Sequence, residues 1–272
     1  MSLYEGSQHQ TFEFHPREPS KTGALLLHGF TGTPAELRPL GTALVEQGIS
    51  VYGPLLPGSG KNFSRLGKVK HQEWFRAARD SWDQVQREYE TPLLIGFSMG
   101  AAIAIDLAAD APPQKLVLLA PFWKLAVPRA ATMLSLLRFF HRDLRPFERE
   151  PNGSPELRDA LIAIDPESDP DDPATQSKLR REYVIPSTSL LELTRAGQRA
   201  GNKAAKVTAP TLVIQGTDDN TVLPEYTRSL VQMMPSNPRV IEVEGDHQLV
   251  RTNRPAWSQV RDAVVEFVKE TN

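Results

Sequence analysis

Six short, nearly continuous apolar runs constrain this chain more than any other feature. They are "GALLLHGF" (23–30), "ISVYGPLL" (49–56), "TPLLIGF" (91–97), "KLVLLAP" (115–121), "PTLVIQG" (210–216) and "RVIEVEG" (239–245). Leu/Val/Ile runs of this kind fit strands covered on both faces, and each is followed by a helical pattern. Strands alternating with helices specify a doubly wound, mostly parallel sheet of the α/β class. The alternating "TFEFHPRE" (11–18) reads as an antiparallel edge strand. "TPAELRPLGTALVEQG" opens a helix with Thr33 as N-cap, Pro34 at N1 and Glu36 at N3. The last helix places Trp257, Val260, Val264 and Phe267 on one face for packing against the sheet.

The rhythm breaks between about Trp123 and Asn202, where no clear strand occurs. "AVPRAATMLSLLRFFHRDLRPFERE" (126–150) reads as one or two helices, "IDPESDPDDPATQ" (164–176) as an acidic, proline-punctuated loop, and "STSLLELTRAGQRAG" (187–201) as helix again. Residues 1–122 and 203–272 are expected to form one core domain, with 123–202 inserted as a helical cap. An insertion at the carboxyl edge of such a sheet lies over the place where these folds bind ligands.

Bulk properties narrow the function. The chain has 272 residues, 40% hydrophobic and 24% charged, enough for one large domain carrying an insertion. A formal charge of −2 attracts neither nucleic acid nor an anionic membrane. With no cysteine, disulfides, zinc–thiolate sites and a cysteine nucleophile are excluded. "MSLYEGSQHQ" has no apolar signal core and no run reaches membrane-spanning length, so a soluble, cytoplasmic protein without stable membrane insertion is expected.

The chemistry concentrates at "TPLLIGFSMGAAIAIDLAAD", where Gly96-Phe97-Ser98-Met99-Gly100 joins an apolar strand to a helix. A Gly-x-Ser-x-Gly hinge of this kind is a nucleophile elbow. The turn is sharp, the flanking elements are close, and the glycines leave room for them. Ser98 then projects its hydroxyl above the sheet at a helix N-terminus, whose dipole favours developing negative charge. The bland alternative is a serine that merely caps the helix.

A serine hydroxyl needs an adjacent base. Of the six histidines, four precede Ser98 and His141 falls in the insertion. His247, in "EVEGDHQLV", follows a strand and precedes the last helix, where a loop-borne base belongs. The acid belongs between serine and histidine, in "TLVIQGTDDNTVLPE". Asp218 and Asp219 compete, and the Gly-x-x-Asp-x-x-Val spacing from Gly216 to Val222 favours Asp219. Asp246 is read as solvated. An oxyanion hole needs two backbone N–H donors; Met99 follows the nucleophile, and Phe30, in "LLLHGFTG", is the second, with His28 beside it in a structural role.

On "LLLHGFTG", "GFSMG", "GTDDNTVLP" and "GDH", in that order, the chain resembles the α/β-hydrolase superfamily, and within it small bacterial carboxylesterases and monoacylglycerol-lipase-like enzymes. The resemblance covers nearly the whole chain apart from the insertion. It departs at Gly58-Ser59-Gly60, where relatives often carry Gly-His-Gly, and at Ala101, where many have a second glycine. It implies a serine carboxylesterase acting on short- to medium-chain esters, monoacylglycerols among them, through an acyl-enzyme, with no metal or organic cofactor. The partner is then a small-molecule ester; Phe30 is read as lining the pocket as well as donating its N–H, and Trp123 as a substrate contact on the apolar insertion, with packing of the insertion as the alternative. Apolar insertion residues from Leu125 to Phe140 suit an acyl pocket or packing of the insertion itself, and Arg138, Arg142, Arg145 and Arg149 read as a solvated basic face. An exposed apolar face there would also serve a homodimer. Thioesterase, acyltransferase or C–C hydrolase chemistry could use the same residues, and a ligand-binding signalling protein could keep the fold.

Overall fold

The structure is a computed structural model, and it describes residues 3–125, 143–165 and 168–270. A seven-stranded sheet forms the centre: β1 (Phe12–Phe14), β2 (Thr22–Leu27), β3 (Ser50–Gly53), β4 (Thr91–Phe97), β5 (Lys115–Leu119), β6 (Thr211–Gly216) and β7 (Arg239–Val243). Their order across the sheet is β1-β3-β2-β4-β5-β6-β7. β1 runs antiparallel to β3, pairing Phe12 with Gly53, as its edge-strand pattern predicts. All other pairings are parallel.

Helices α1 (Arg38–Val45), α2 (His71–Glu88), α3 (Met99–Asp110), α4 (Pro155–Ile164), α5 (Pro173–Glu182), α6 (Ser187–Lys203), α7 (Pro224–Val231) and α8 (Trp257–Lys269) complete the described elements of that type. The near-continuous apolar strands divide by parity, because successive side chains point to opposite faces. Leu25, Leu27, Leu94, Leu116 and Leu118 join one core with α2, α3 and α6. Ala24, Leu26, Leu93, Ile95, Val117 and Leu119 join the other with α1 and α8. On α8 the buried set is Val260, Ala263, Val264 and Phe267, with Trp257 packed at its margin.

Between 143 and 203 the described residues contain helices and an isolated bridge, Leu144 to Ile185, but no named strand. Much of the apolar run read as helical, from Val127 to Phe140, together with Arg138, Arg142 and His141, lies outside the described residues. α6 packs along α3, where buried Asp106 takes a bidentate ion pair from Arg199 (2.7 and 2.9 Å).

The chain steps from β2 outward to β3 and then returns to β4 on the other side of β2. The gap beyond the carboxyl ends of β2 and β4 is therefore the switch point where open α/β sheets place their ligands. Phe30 follows β2, and Ser98 follows β4.

Candidate active site

Ser98 sits between β4 and α3 at φ +53°, a left-handed conformation uncommon for a residue with a side chain. Its N–H donates to the Leu119 carbonyl (2.9 Å), and its own carbonyl accepts from Ala101, Ala102 and Phe122. Both flanking glycines are obligatory. A Cβ on Gly100 would stand 2.0 Å from the Leu27 carbonyl oxygen, and one on Gly96 would stand 2.4 Å from that of Gly100.

His247 brings Nε2 to 3.0 Å from Ser98 Oγ and Nδ1 to 2.8 Å from Asp219 Oδ2. An ionised carboxylate only accepts, so Nδ1 carries the proton and Nε2 is left to accept from the serine hydroxyl. The ring lies against Phe97, with centroids 5.2 Å apart. Asp219 is buried, and its Oδ1 accepts from the N–H groups of Thr221 and Val222, both at 2.8 Å. Burial alone would raise its pKa, but the His247 hydrogen bond and charge and these two N–H groups outweigh it, holding the carboxyl below its ordinary value. Asp218 is exposed and meets the Thr217 hydroxyl instead. Asp246, half-exposed, accepts from the Gln248 N–H and pairs with Arg254 at 3.6 Å.

One supporting side chain escaped the sequence reading. Gln215, within β6, donates from Nε2 to Asp219 Oδ2, Gly216 O and Val222 O, each at 3.1 Å, while its Oε1 accepts from Thr227 (2.6 Å). A lone amide in "PTLVIQG" was the available signal, since a buried amide demands partners.

Neither Phe30 N–H nor Met99 N–H makes a backbone hydrogen bond among the described residues. Met99 opens α3, so its N–H has no intrahelical acceptor. The loop carrying Phe30 is tied down on every side. His28 is fully buried; its Nδ1 donates to Gly29 O (2.9 Å) and its Nε2 accepts from Leu56 N–H (3.1 Å). Burial lowers its pKa to about 4, so it stays neutral.

The Thr33 cap forms as expected, accepting from Ala35 N–H, but it opens a 3₁₀ turn (Pro34–Glu36) ahead of α1. Glu36 does not complete a capping box. Its Oε2 accepts from Gly29 N–H at 3.0 Å, under the loop, where burial raises its pKa. Thr31 adopts φ +60°, a genuine outlier for a β-branched residue, costing about 1–3 kcal/mol. Two tyrosines hold it: Tyr4 donates to Thr31 O and Tyr183 to Thr31 Oγ1, both at 3.0 Å.

A cleft of about 620 Å³ opens beside this loop, lined by Phe30, Thr31, Glu36, Ile162, Tyr183, Gln248 and Arg251 among others. Neither Ser98 nor His247 is on its lining; Phe30 and Gln248, the chain neighbour of His247, are. Trp123 is not on this lining. Its indole N–H donates to Tyr226 O (2.8 Å), and its carbonyl lies against Gly197 of α6. Among the described residues no group of three or more His, Asp or Glu side chains could hold a metal, and no helix is long and apolar enough to cross a membrane.

A mostly parallel sheet, a serine elbow after its central strand, and a histidine and aspartate on the following loops together define an α/β-hydrolase. The chain belongs to the Hydrolase_4 family, described as serine aminopeptidase, S33, whose model matches residues 18–250. It is 26% identical over 224 residues to the thermostable monoacylglycerol lipase of Bacillus sp. (strain H-257), covering 82% of this chain and 81% of that one. It is 32% identical over 94 residues to a carboxylesterase of Bacillus subtilis (strain 168), covering 34% of this chain and 38% of the relative. Its fold matches a solved structure of the metagenome-derived lipolytic enzymes LipS and LipT, with a TM-score of 0.75, 17% identity, and 97% and 99% of the two chains covered.

Proposed function

We propose that this ester hydrolase cleaves short- to medium-chain carboxylic esters, monoacylglycerols among them, through an acyl-enzyme on Ser98. The Ser98–His247–Asp219 hydrogen-bonded chain carries the reading. Ser98 Oγ attacks the ester carbonyl as His247 Nε2 takes its proton. The tetrahedral oxyanion is received by the N–H groups of Phe30 and Met99. Collapse breaks the C–O bond, and the alcohol leaves with the proton from His247. Water, deprotonated by the same nitrogen, attacks the acyl-enzyme, and the acid departs as Ser98 recovers its proton. Asp219 fixes the tautomer and stabilises the imidazolium without taking the proton.

Residues 1–122 and 203–272 are read as the catalytic core and 123–202 as a cap. Phe147, Ala160, Ile162, Ile164 and Tyr183 of that insertion line the cleft together with Phe30, which favours an acyl chain there. Trp123 is assigned to joining α6 of the insertion, at Gly197, to α7 of the core, at the Tyr226 carbonyl, and Phe30 is kept as the substrate contact. The alternative in the family's description, release of an N-terminal amino acid, needs a carboxylate for the substrate ammonium. Glu36 is the carboxylate on the cleft lining, and it is already bonded to Gly29 N–H. A cytoplasmic location and a homodimer belong to the same proposal. Exposed Leu144 is an apolar side chain such a dimer would cover, and light scattering measures it.

Labelling with a fluorophosphonate tests the mechanism. The expected result is one adduct per chain, on Ser98, with hydrolysis lost in proportion. An adduct elsewhere, or hydrolysis surviving full labelling, contradicts it.

A further inference from the structure

Thr31 follows the proposed oxyanion donor Phe30 and is held at φ +60°, against the preference of a β-branched side chain. Such a residue keeps that conformation only where its surroundings over-determine it. Its carbonyl accepts from Tyr4, in the N-terminal segment, and its hydroxyl accepts from Tyr183, between α5 and α6. The tyrosine hydroxyls also contact each other. Their rings are fixed independently: Tyr4 and Tyr183 pack on Phe63 at 5.7 and 5.2 Å, and Tyr183 packs on Phe147 at 5.1 Å. On the far side of the loop, Glu36 holds Gly29 N–H. Gly29 and Thr31 are thus both anchored, and the peptide N–H between them, that of Phe30, makes no backbone hydrogen bond among the described residues.

We infer that Tyr183, with Tyr4, is a positioning residue that clamps Thr31 in its left-handed conformation and so aims the Phe30 N–H at the reacting carbonyl. Through this contact the inserted region completes the oxyanion hole without touching the reacting atoms. The inference rests on the oxyanion assignment made above. Tyr183 also lines the cleft, so its test must separate aiming a donor from touching substrate.

Tyr183→Phe keeps the ring and removes the hydroxyl. With a p-nitrophenyl ester the variant is expected to lose about tenfold in kcat, short of the roughly hundred- to thousandfold that follows loss of a whole oxyanion donor. KM should stay within about twofold, because the interaction forms in the transition state. Affinity for an alkylboronic acid, which forms a tetrahedral adduct on serine, should fall in parallel with kcat. Glycine adopts positive φ unaided, so Tyr183→Phe should have no further effect on kcat in a Thr31→Gly background. Hydrogen–deuterium exchange should rise in residues 28–32 of Tyr183→Phe and not in the sheet, and Tyr4→Phe carries the same expectation.

Unchanged kcat and unchanged exchange in Tyr183→Phe would overturn the clamp. So would a loss that falls on KM, or one that persists in full with glycine at position 31, since a hydroxyl touching substrate behaves that way. If wild-type hydrolysis survives Ser98→Ala, the oxyanion assignment fails instead, while the exchange measurement still judges the clamp.

Discussion

Ser98, a residue 8% exposed at the end of a buried strand, has His247 within hydrogen-bonding distance of its hydroxyl, and Asp219 behind that ring. Ser98→Ala removes the atom proposed to attack, and hydrolysis should fall by about 10⁴-fold or more, to what the proposed oxyanion donors and binding alone supply. Asp219→Asn leaves the geometry but frees the imidazole to adopt the wrong tautomer; kcat should fall by about 10⁴-fold. Asp218→Asn, whose carboxylate faces solvent, should be nearly silent, and comparing the two variants checks the assignment. The Gly-x-x-Asp-x-x-Val spacing favours Asp219, and of the two aspartates it is Asp219 that accepts from Thr221, Val222 and Gln215. Glu36 was legible as a residue but not in its role. A capping box is a local pattern, whereas the Gly29 N–H that captures its carboxylate comes from a loop brought over it by tertiary folding.

At the scale of elements, the elbow and the loop after β2 are the two demanding connections. Gly100→Ala sets a methyl against the Leu27 carbonyl and should cost about 3 kcal/mol or more, read as a fallen denaturation midpoint. Gly153→Ala, at φ +74° with open space around it, should cost only about 1–2 kcal/mol. His28 links the loop carrying Phe30 to Leu56 and is held neutral, with its pKa lowered from 6.5 to about 4 by burial. The unfolded chain therefore binds the proton more readily. This contribution is full above pH 6.5 and disappears as pH falls through about 4, a loss of about 3 kcal/mol. Glu36, raised by burial, acts with the opposite sign, favouring the fold at low pH and losing that contribution as pH rises. Unfolding measured across this range should show a shallower acid decline in His28→Gln than in wild type; equal slopes would contradict the assignment. Strands were readable because parity of apolar residues encodes two cores at once. Their ends were less so: β5 stops at Leu119 and β7 at Val243, each two residues short of its apolar run, where the backbone turns toward the site.

For the whole molecule, chain reversal at β2 brings residues from positions 30, 98, 219 and 247 to one edge of the sheet. The order of motifs announced that convergence. The cleft did not announce itself, because its walls come from segments as distant as Tyr4, Ile162 and Arg251. Nothing local in the sequence pairs Tyr183 with Thr31, or places Trp123 beneath α6 rather than on the cleft. If the acyl chain lies along the insertion, Ala160→Trp should depress turnover of octanoyl esters at least about fivefold more than that of acetyl esters, as expected of a filled pocket. Equal losses would move the acyl site elsewhere.

The most direct measurement is hydrolysis of a chromogenic ester series, from acetyl to palmitoyl, by the wild type and by Ser98→Ala. The account predicts rapid cleavage with a maximum at short to medium chain length, and none above background in the variant. Activity that survives in Ser98→Ala, or a wild type that cleaves no ester in the series, would contradict it.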